Sequence, residues 1–161
     1  MTNDDAMTRA LELARAAQTL GEVPVGAVVL HDGVIVGEGM NRREVDADPL
    51  AHAEMAALAQ AARTLGRWRL SGTTLVVTLE PCFMCAGAIV NARVDRLVFG
   101  ALDSRAGAVQ SLAQVCTDVR LNHRLVVESG VQAEPCGEIL KTFFQQRRQG
   151  LGADVRPRSN T

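Results

Sequence analysis

The chain reads as an α/β protein, with one mixed β-sheet sandwiched between helices as a three-layer α/β/α unit. Three observations predict it. Apolar, β-branched runs alternate with helical segments of 11 to 14 residues. Two of those runs are joined by His31-Asp32-Gly33, a hairpin signal. Finally, the chain has 161 residues, 47% hydrophobic and 22% charged. That is enough to bury roughly 70% of the unfolded surface around one core without disulfide staples.

The elements follow in order. Asp4 or Asp5 is placed to cap a first helix, whose apolar positions Met7, Leu11 and Ala14 recur at helical spacing until Gly21 stops it. Val25–Leu30 and Val34–Gly39 are the hairpin strands, with His31 solvated in the turn. A polar loop, Met40–Leu50, precedes an Ala-rich helix from His52 to Leu65 that contains no Gly or Pro. Thr73–Leu79 is an apolar strand ending at Glu80-Pro81. A helix over Cys82–Ala92 and a strand over Arg96–Gly100 come next. Ala101–Arg124 shows no clear period, Leu125–Glu128 is a last strand, and Pro135–Arg148 is a closing helix with Pro in its first turn. One domain thus spans 1–149, and 150–161, rich in Gly, Pro, Ser and Asn, reads as a disordered tail.

Charge excludes some roles. The longest uncharged stretches, Pro81–Ala92 and Ala106–Thr117, have 12 residues each, short of the roughly 18 that span a bilayer. Met1–Asp5 is acidic and has no apolar leader region, so a soluble, cytoplasmic protein is expected. The net charge of −1 does not advertise a nucleic-acid binder, but it is unevenly spread. Residues 141–161 carry Lys141, Arg147, Arg148, Arg156 and Arg158 against Asp154 alone. This basic end suits a local phosphate-binding patch. It suits equally well cations complementing a helix C-terminus.

Two short segments carry the chemistry, His52-Ala53-Glu54 and Pro81-Cys82-Phe83-Met84-Cys85. Cys82 and Cys85, three apart, share a helix face, and a helix N-terminus favours the thiolate that binds metal. His52 lies at another expected helix start. Two such starts converging deliver one nitrogen and two sulfurs, a tetrahedral zinc site with its fourth position open. Glu54, two residues after His52, would face away within a helix interior. In the first turn it reaches past the helix end and sits beside the metal without ligating it, as a proton shuttle does. Alone, Cys-x-x-Cys also fits a redox pair. A closed structural site with Cys116 or Cys136 as fourth ligand is the other alternative, although both read better as small buried residues.

These segments match the H-x-E…P-C-x-x-C signature of zinc-dependent nucleoside and nucleobase deaminases. Val23-Pro24-Val25-Gly26-Ala27-Val28, Asp48-Pro49-x-Ala51-His52-Ala53-Glu54, Thr78–Ala88, Asn122-His123-Arg124 and Phe143-Phe144 extend the match. Over about Ala6 to Arg148 the chain resembles the bacterial tRNA-specific adenosine deaminase family. The resemblance implies a cytidine-deaminase-like fold with a five-stranded sheet, a homodimer, and one Zn2+ per subunit held by His52, Cys82 and Cys85. It implies Glu54 as the catalytic proton carrier and hydrolysis of the wobble adenosine of a tRNA anticodon stem-loop to inosine. Asn41, Ala53 and Asp103 match substrate-binding positions; an Asx turn at Asn41 and a solvated turn at Asp103 are the alternatives. Arg105, His123, Lys141, Arg147 and Arg148 are candidate RNA contacts, with a hydrogen-bonded structural role favoured for His123. Arg105 stands where the family usually has Lys, Gln110 where Gly is common, Leu102 where a basic residue occurs, and Leu50 for a small polar residue. A deaminase of free guanine or cytosine and a non-catalytic zinc-stabilised binding module remain the competing readings.

Overall fold

A computed structural model of the chain describes residues 1–150; beyond Gly150 the expected tail lies outside the described residues. The elements are α1 (Asn3–Thr19), β1 (Gly26–His31), β2 (Val34–Met40), α2 (Ala53–Leu65), β3 (Thr73–Leu79), α3 (Phe83–Asn91), β4 (Arg96–Ala101), β5 (Val126–Ser129) and α4 (Ala133–Arg148). The sheet order is β2-β1-β3-β4-β5. β1 runs antiparallel to β2 and β3, and β3, β4 and β5 are mutually parallel, so the sheet is mixed as expected. No helix among the described residues is long and apolar enough to cross a membrane.

Strand alternation builds the two outer layers. Ala27, Val29, Leu75, Val77, Leu97 and Phe99 point to one face, where they pack with α2 and α3 residues such as Ala57 and Ile89. Val28, Leu30, Val76 and Val98 point to the other, against Ala6, Met7, Ala10 and Leu11 of α1 and Cys136 of α4. Small residues set the spacing. A side chain on Gly39 would collide with the carbonyl of Ala53, so glycine lets the first turn of α2 lie directly on β2. The stripe Ala53, Ala57 and Ala61 on α2 completes that close approach.

Two local expectations are corrected. Neither Asp4 nor Asp5 is the cap of α1: Thr2 is, its hydroxyl accepting from the Asp5 amide at 3.0 Å while the Asp5 carboxylate accepts from the Thr2 amide at 2.9 Å. This reciprocal capping box satisfies two amide donors at once, which an Asp cap one turn later would not. His31 is not a solvated turn residue. It ends β1, half-buried and paired with Thr73 and Val34, because Asp32 and Gly33 alone take the positive φ of the turn. The aperiodic stretch after β4 holds a single 3-10 turn, Val115–Thr117, whose Cys116 is buried in the α2–α3 layer.

Candidate active site

Two helix starts meet at the carboxyl end of β3. His52 is the N-cap of α2 and Cys82 the N-cap of α3, both in extended backbone. Neither spends its side chain on capping, which leaves the imidazole and the thiol free to point at one another. Cys85 follows one turn into α3 and is fully buried. His52 Nδ1 lies 3.6 Å from Cys82 Sγ and 3.5 Å from Cys85 Sγ. Around a tetrahedral zinc with bonds of about 2.0 Å to nitrogen and 2.3 Å to sulfur, the nitrogen–sulfur edges are about 3.5 Å. Both nitrogen–sulfur edges therefore match a zinc site.

Electrostatics splits these donors. The Cys82 thiol is pushed down to about 3 by hydrogen bonding to Cys85 and His52, so this sulfur is held as thiolate. Cys85, next to that thiolate and buried, is pushed up, and the His52 ring is pushed up by its hydrogen bond to Cys82. Glu54 is 4% exposed and lines one pocket with His52 and Cys82, although it lies only two residues from His52. Its place in the first turn of α2 brings it to the same end of the helix as His52. Burial pushes its carboxyl up to about 6.

Among the described residues the metal-capable group is His52, Cys82 and Cys85. Cys116 and Cys136 lie in the cores on opposite faces of the sheet, their thiols pushed up to about 12 and about 11 by burial. Neither supplies a fourth ligand.

A cavity of about 190 Å³ opens over the cluster. Asn41, Ala53 and Asp103 all line it, as do Arg43, Val25 and Ala106. Asn41 is also the Asx-turn residue: its Oδ1 accepts from the Arg43 amide at 3.1 Å, and its Nδ2 donates to the Val23 carbonyl at 3.1 Å. Asp103 Oδ1 accepts from the amides of Arg105 and Ala106. In both cases the turn is formed, and the residue also faces the cavity. Arg105, His123, Lys141, Arg147 and Arg148 do not line the cavity. His123 is half-buried, with Nε2 2.7 Å from the Val94 carbonyl, the structural role favoured for it.

The profile of the MafB19-like deaminase family matches residues 1–148. A tRNA-specific adenosine deaminase of Haemophilus influenzae is 53% identical over 91% of this chain and 86% of its own. A structure from work on A-to-I editing by tRNA deaminases at the wobble position superposes with a TM-score of 0.81. It is 43% identical, over 84% of this chain and 99% of that one. The chain belongs to the tRNA-specific adenosine deaminase family. A guanine deaminase from Nitrosomonas europaea shares the fold at a TM-score of 0.77, with 25% identity over 87% of this chain and 83% of that one.

Two residues of this deaminase escaped the sequence reading, Glu22 and Glu80, which are 1% and 2% exposed. Glu22 Oε1 accepts from the amides of Glu44 and Val45 at 2.8 and 2.7 Å, fixing the loop that carries Asn41 and Arg43. Glu80 accepts from the loop that carries Asp103. Burial pushes its carboxyl up, but the Ser111 hydroxyl and the amides of Gln110, Ser111 and Asp103 outweigh that and hold it at about 2. One signal was legible: a carboxylate directly after an apolar, β-branched strand has no water to solvate it and needs internal donors.

Proposed function

We propose that this deaminase hydrolyses the wobble adenosine in a tRNA anticodon stem-loop to inosine, releasing ammonia. His52, Cys82 and Cys85 hold the ion, for which two cysteine sulfurs and one imidazole favour zinc. Zinc bound there supplies Lewis-acid activation of a water molecule near neutral pH. Glu54 does the proton work. Its buried carboxylate takes a proton from the attacking water, passes it to the purine ring nitrogen, and carries a second to the departing amino group. Adenosine and water thus become inosine and ammonia, with Glu54 restored.

The observation that carries this reading is the placement of Glu54, a buried carboxylate beside three metal donors and opening on a base-sized cavity. Its specificity for tRNA is supported by the relatives: 53% and 43% identity to tRNA deaminases against 25% to a guanine deaminase. An unpaired anticodon also lowers the cost of extruding a base into the cavity. Asn41, Ala53 and Asp103 bind the extruded nucleotide, and Arg105, Lys141, Arg147 and Arg148 contact the RNA outside it. The enzyme works as a homodimer in the cytoplasm. Support for the second copy comes from Leu50, Phe83 and Leu102, each more than half exposed and within two residues of His52, Cys82 or Asp103.

The test is ammonia release from the metal-loaded protein given an adenosine-containing anticodon stem-loop, free adenosine, guanine or cytosine. Inosine forms in the stem-loop, one zinc per chain is measured, and chelation abolishes turnover. Ammonia from guanine with none from the stem-loop overturns the assignment.

A further inference from the structure

Glu80 lies one residue beyond the end of β3 and two before Cys82, and it does not belong to the donor cluster. Its carboxylate is instead the centre around which the loop 103–111 is folded. Oε1 accepts from the Asp103 amide at 3.0 Å and from the Ser111 hydroxyl. Oε2 accepts from three consecutive amides, Val109 at 3.1 Å, Gln110 at 2.8 Å and Ser111 at 2.9 Å. Successive amides converging on one anion form a nest, here filled by the chain's own side chain. Gly107 closes it: a Cβ there would collide with the Glu80 carboxylate itself. The loop is stitched to the site segment by the Ala108 amide donating to the Pro81 carbonyl at 2.8 Å, and by a bridge between Cys82 and Gly107.

With both oxygens taken by loop donors, Glu80 is not free to act as a base. The loop, however, presents Asp103 and Ala106 to the cavity. We propose that Glu80 is a positioning residue for substrate binding, holding the Asp103 wall in the shape that receives the nucleotide. It takes no part in proton transfer. This rests on the deaminase reading above. The donor set and Glu54 stand on α2 and α3, whose placement comes from the core, so loosening the wall weakens binding and leaves the chemical step intact.

The experiment measures kcat, KM and zinc content on the stem-loop for Glu80→Gln, Gly107→Ala, Ser111→Ala and Ser111→Thr. An amide at position 80 must turn its NH2 toward loop donors, so Glu80→Gln raises KM about tenfold while kcat stays within about threefold and zinc is retained. Gly107→Ala does the same. Ser111→Ala raises KM about threefold, and Ser111→Thr, which keeps the hydroxyl, restores it. An unchanged KM in zinc-loaded Glu80→Gln overturns the proposal, as does a fall in kcat alone or loss of zinc. If Glu80→Gln does not fold, the Ser111 pair decides: equal KM values for Ala and Thr sink it. Hydrogen exchange of the 103–111 amides needs no substrate. Protection lost in Glu80→Gln, with a wild type inactive on the stem-loop, sinks the functional reading alone; protection unchanged sinks the positioning role.

Discussion

The floor and the walls of the cavity are built by different means. The floor stands on two helix starts, where His52, Cys82 and Cys85 inherit their positions from helices packed on the sheet. The walls are irregular loops, and each is pinned by one buried carboxylate reaching from outside the loop: Glu22 for the segment with Asn41 and Arg43, Glu80 for the segment with Asp103. Rigid elements hold reacting atoms to within fractions of an ångström, whereas loops can vary in shape without disturbing the core. Under the proposed function, chemistry and substrate choice are thereby separable. Floor substitutions should strike turnover, wall substitutions binding and local stability, and surface substitutions outside both only the electrostatics of association.

The largest effect tests the floor. Glu54→Gln keeps the size of the side chain but removes the carboxylate proposed to carry the protons. Turnover of the stem-loop should fall by about 10²- to 10⁴-fold, with zinc content and stem-loop affinity unchanged. Single-turnover kinetics with metal analysis measures all three. A variant that keeps full activity would leave the cluster a metal-stabilised binding module and erase the distinction between floor and wall.

The next effect sharpens the comparison between the walls. Both loop donors at Glu22 land on one oxygen, Oε1, whereas those at Glu80 are shared between two. In Glu22→Gln the carbonyl oxygen can stand in for Oε1, with the amide nitrogen in the place of Oε2. The loss is a weakened charge-assisted pair, about 1 kcal/mol by urea denaturation. At Glu80 no orientation of the amide satisfies both sets of donors, so the same substitution costs more, about 2–3 kcal/mol. Equal losses would show that the two latches are alike and that counting donors per oxygen explains nothing.

How much of this was legible in the sequence follows the same division. The sheet and its helices were readable because alternation and helical spacing are local: Thr73–Leu79 was placed to the residue. His52, Cys82 and Cys85 were readable only as a set: Cys-x-x-Cys alone also fits a redox pair, and it is the two helix starts together that imply one shared point. The walls were not. Glu80 meets its partners 23 to 31 residues further on, in a loop with no periodicity, and nothing nearby in the chain marks them. The cap of α1 was missed for a smaller reason. Thr2 and Asp5 cap each other's amides, so residue type alone does not tell the cap from its partner three residues later.

The smallest effect lies outside both floor and walls. Lys141, Arg147 and Arg148 are exposed on α4 and do not line the cavity. Arg147 also stacks over the Phe143 ring at 5.1 Å, so its guanidinium has a structural contact besides any it makes to RNA. If the three meet phosphates, each releases condensed counterions on binding. Neutralising them with Gln should then lower stem-loop affinity and flatten its salt dependence by about 0.7 per lost contact in the log–log slope. The turnover of bound RNA should not change, since none of the three approaches Glu54. Titrations at several salt concentrations measure the slope, and single-turnover rates at saturating RNA measure the rest. An unchanged slope would mean that Arg147 and Arg148, the basic residues of its last turn, serve α4 through its dipole. The RNA would then be held by the walls alone, and the stability cost of the triple variant would exceed its cost in affinity.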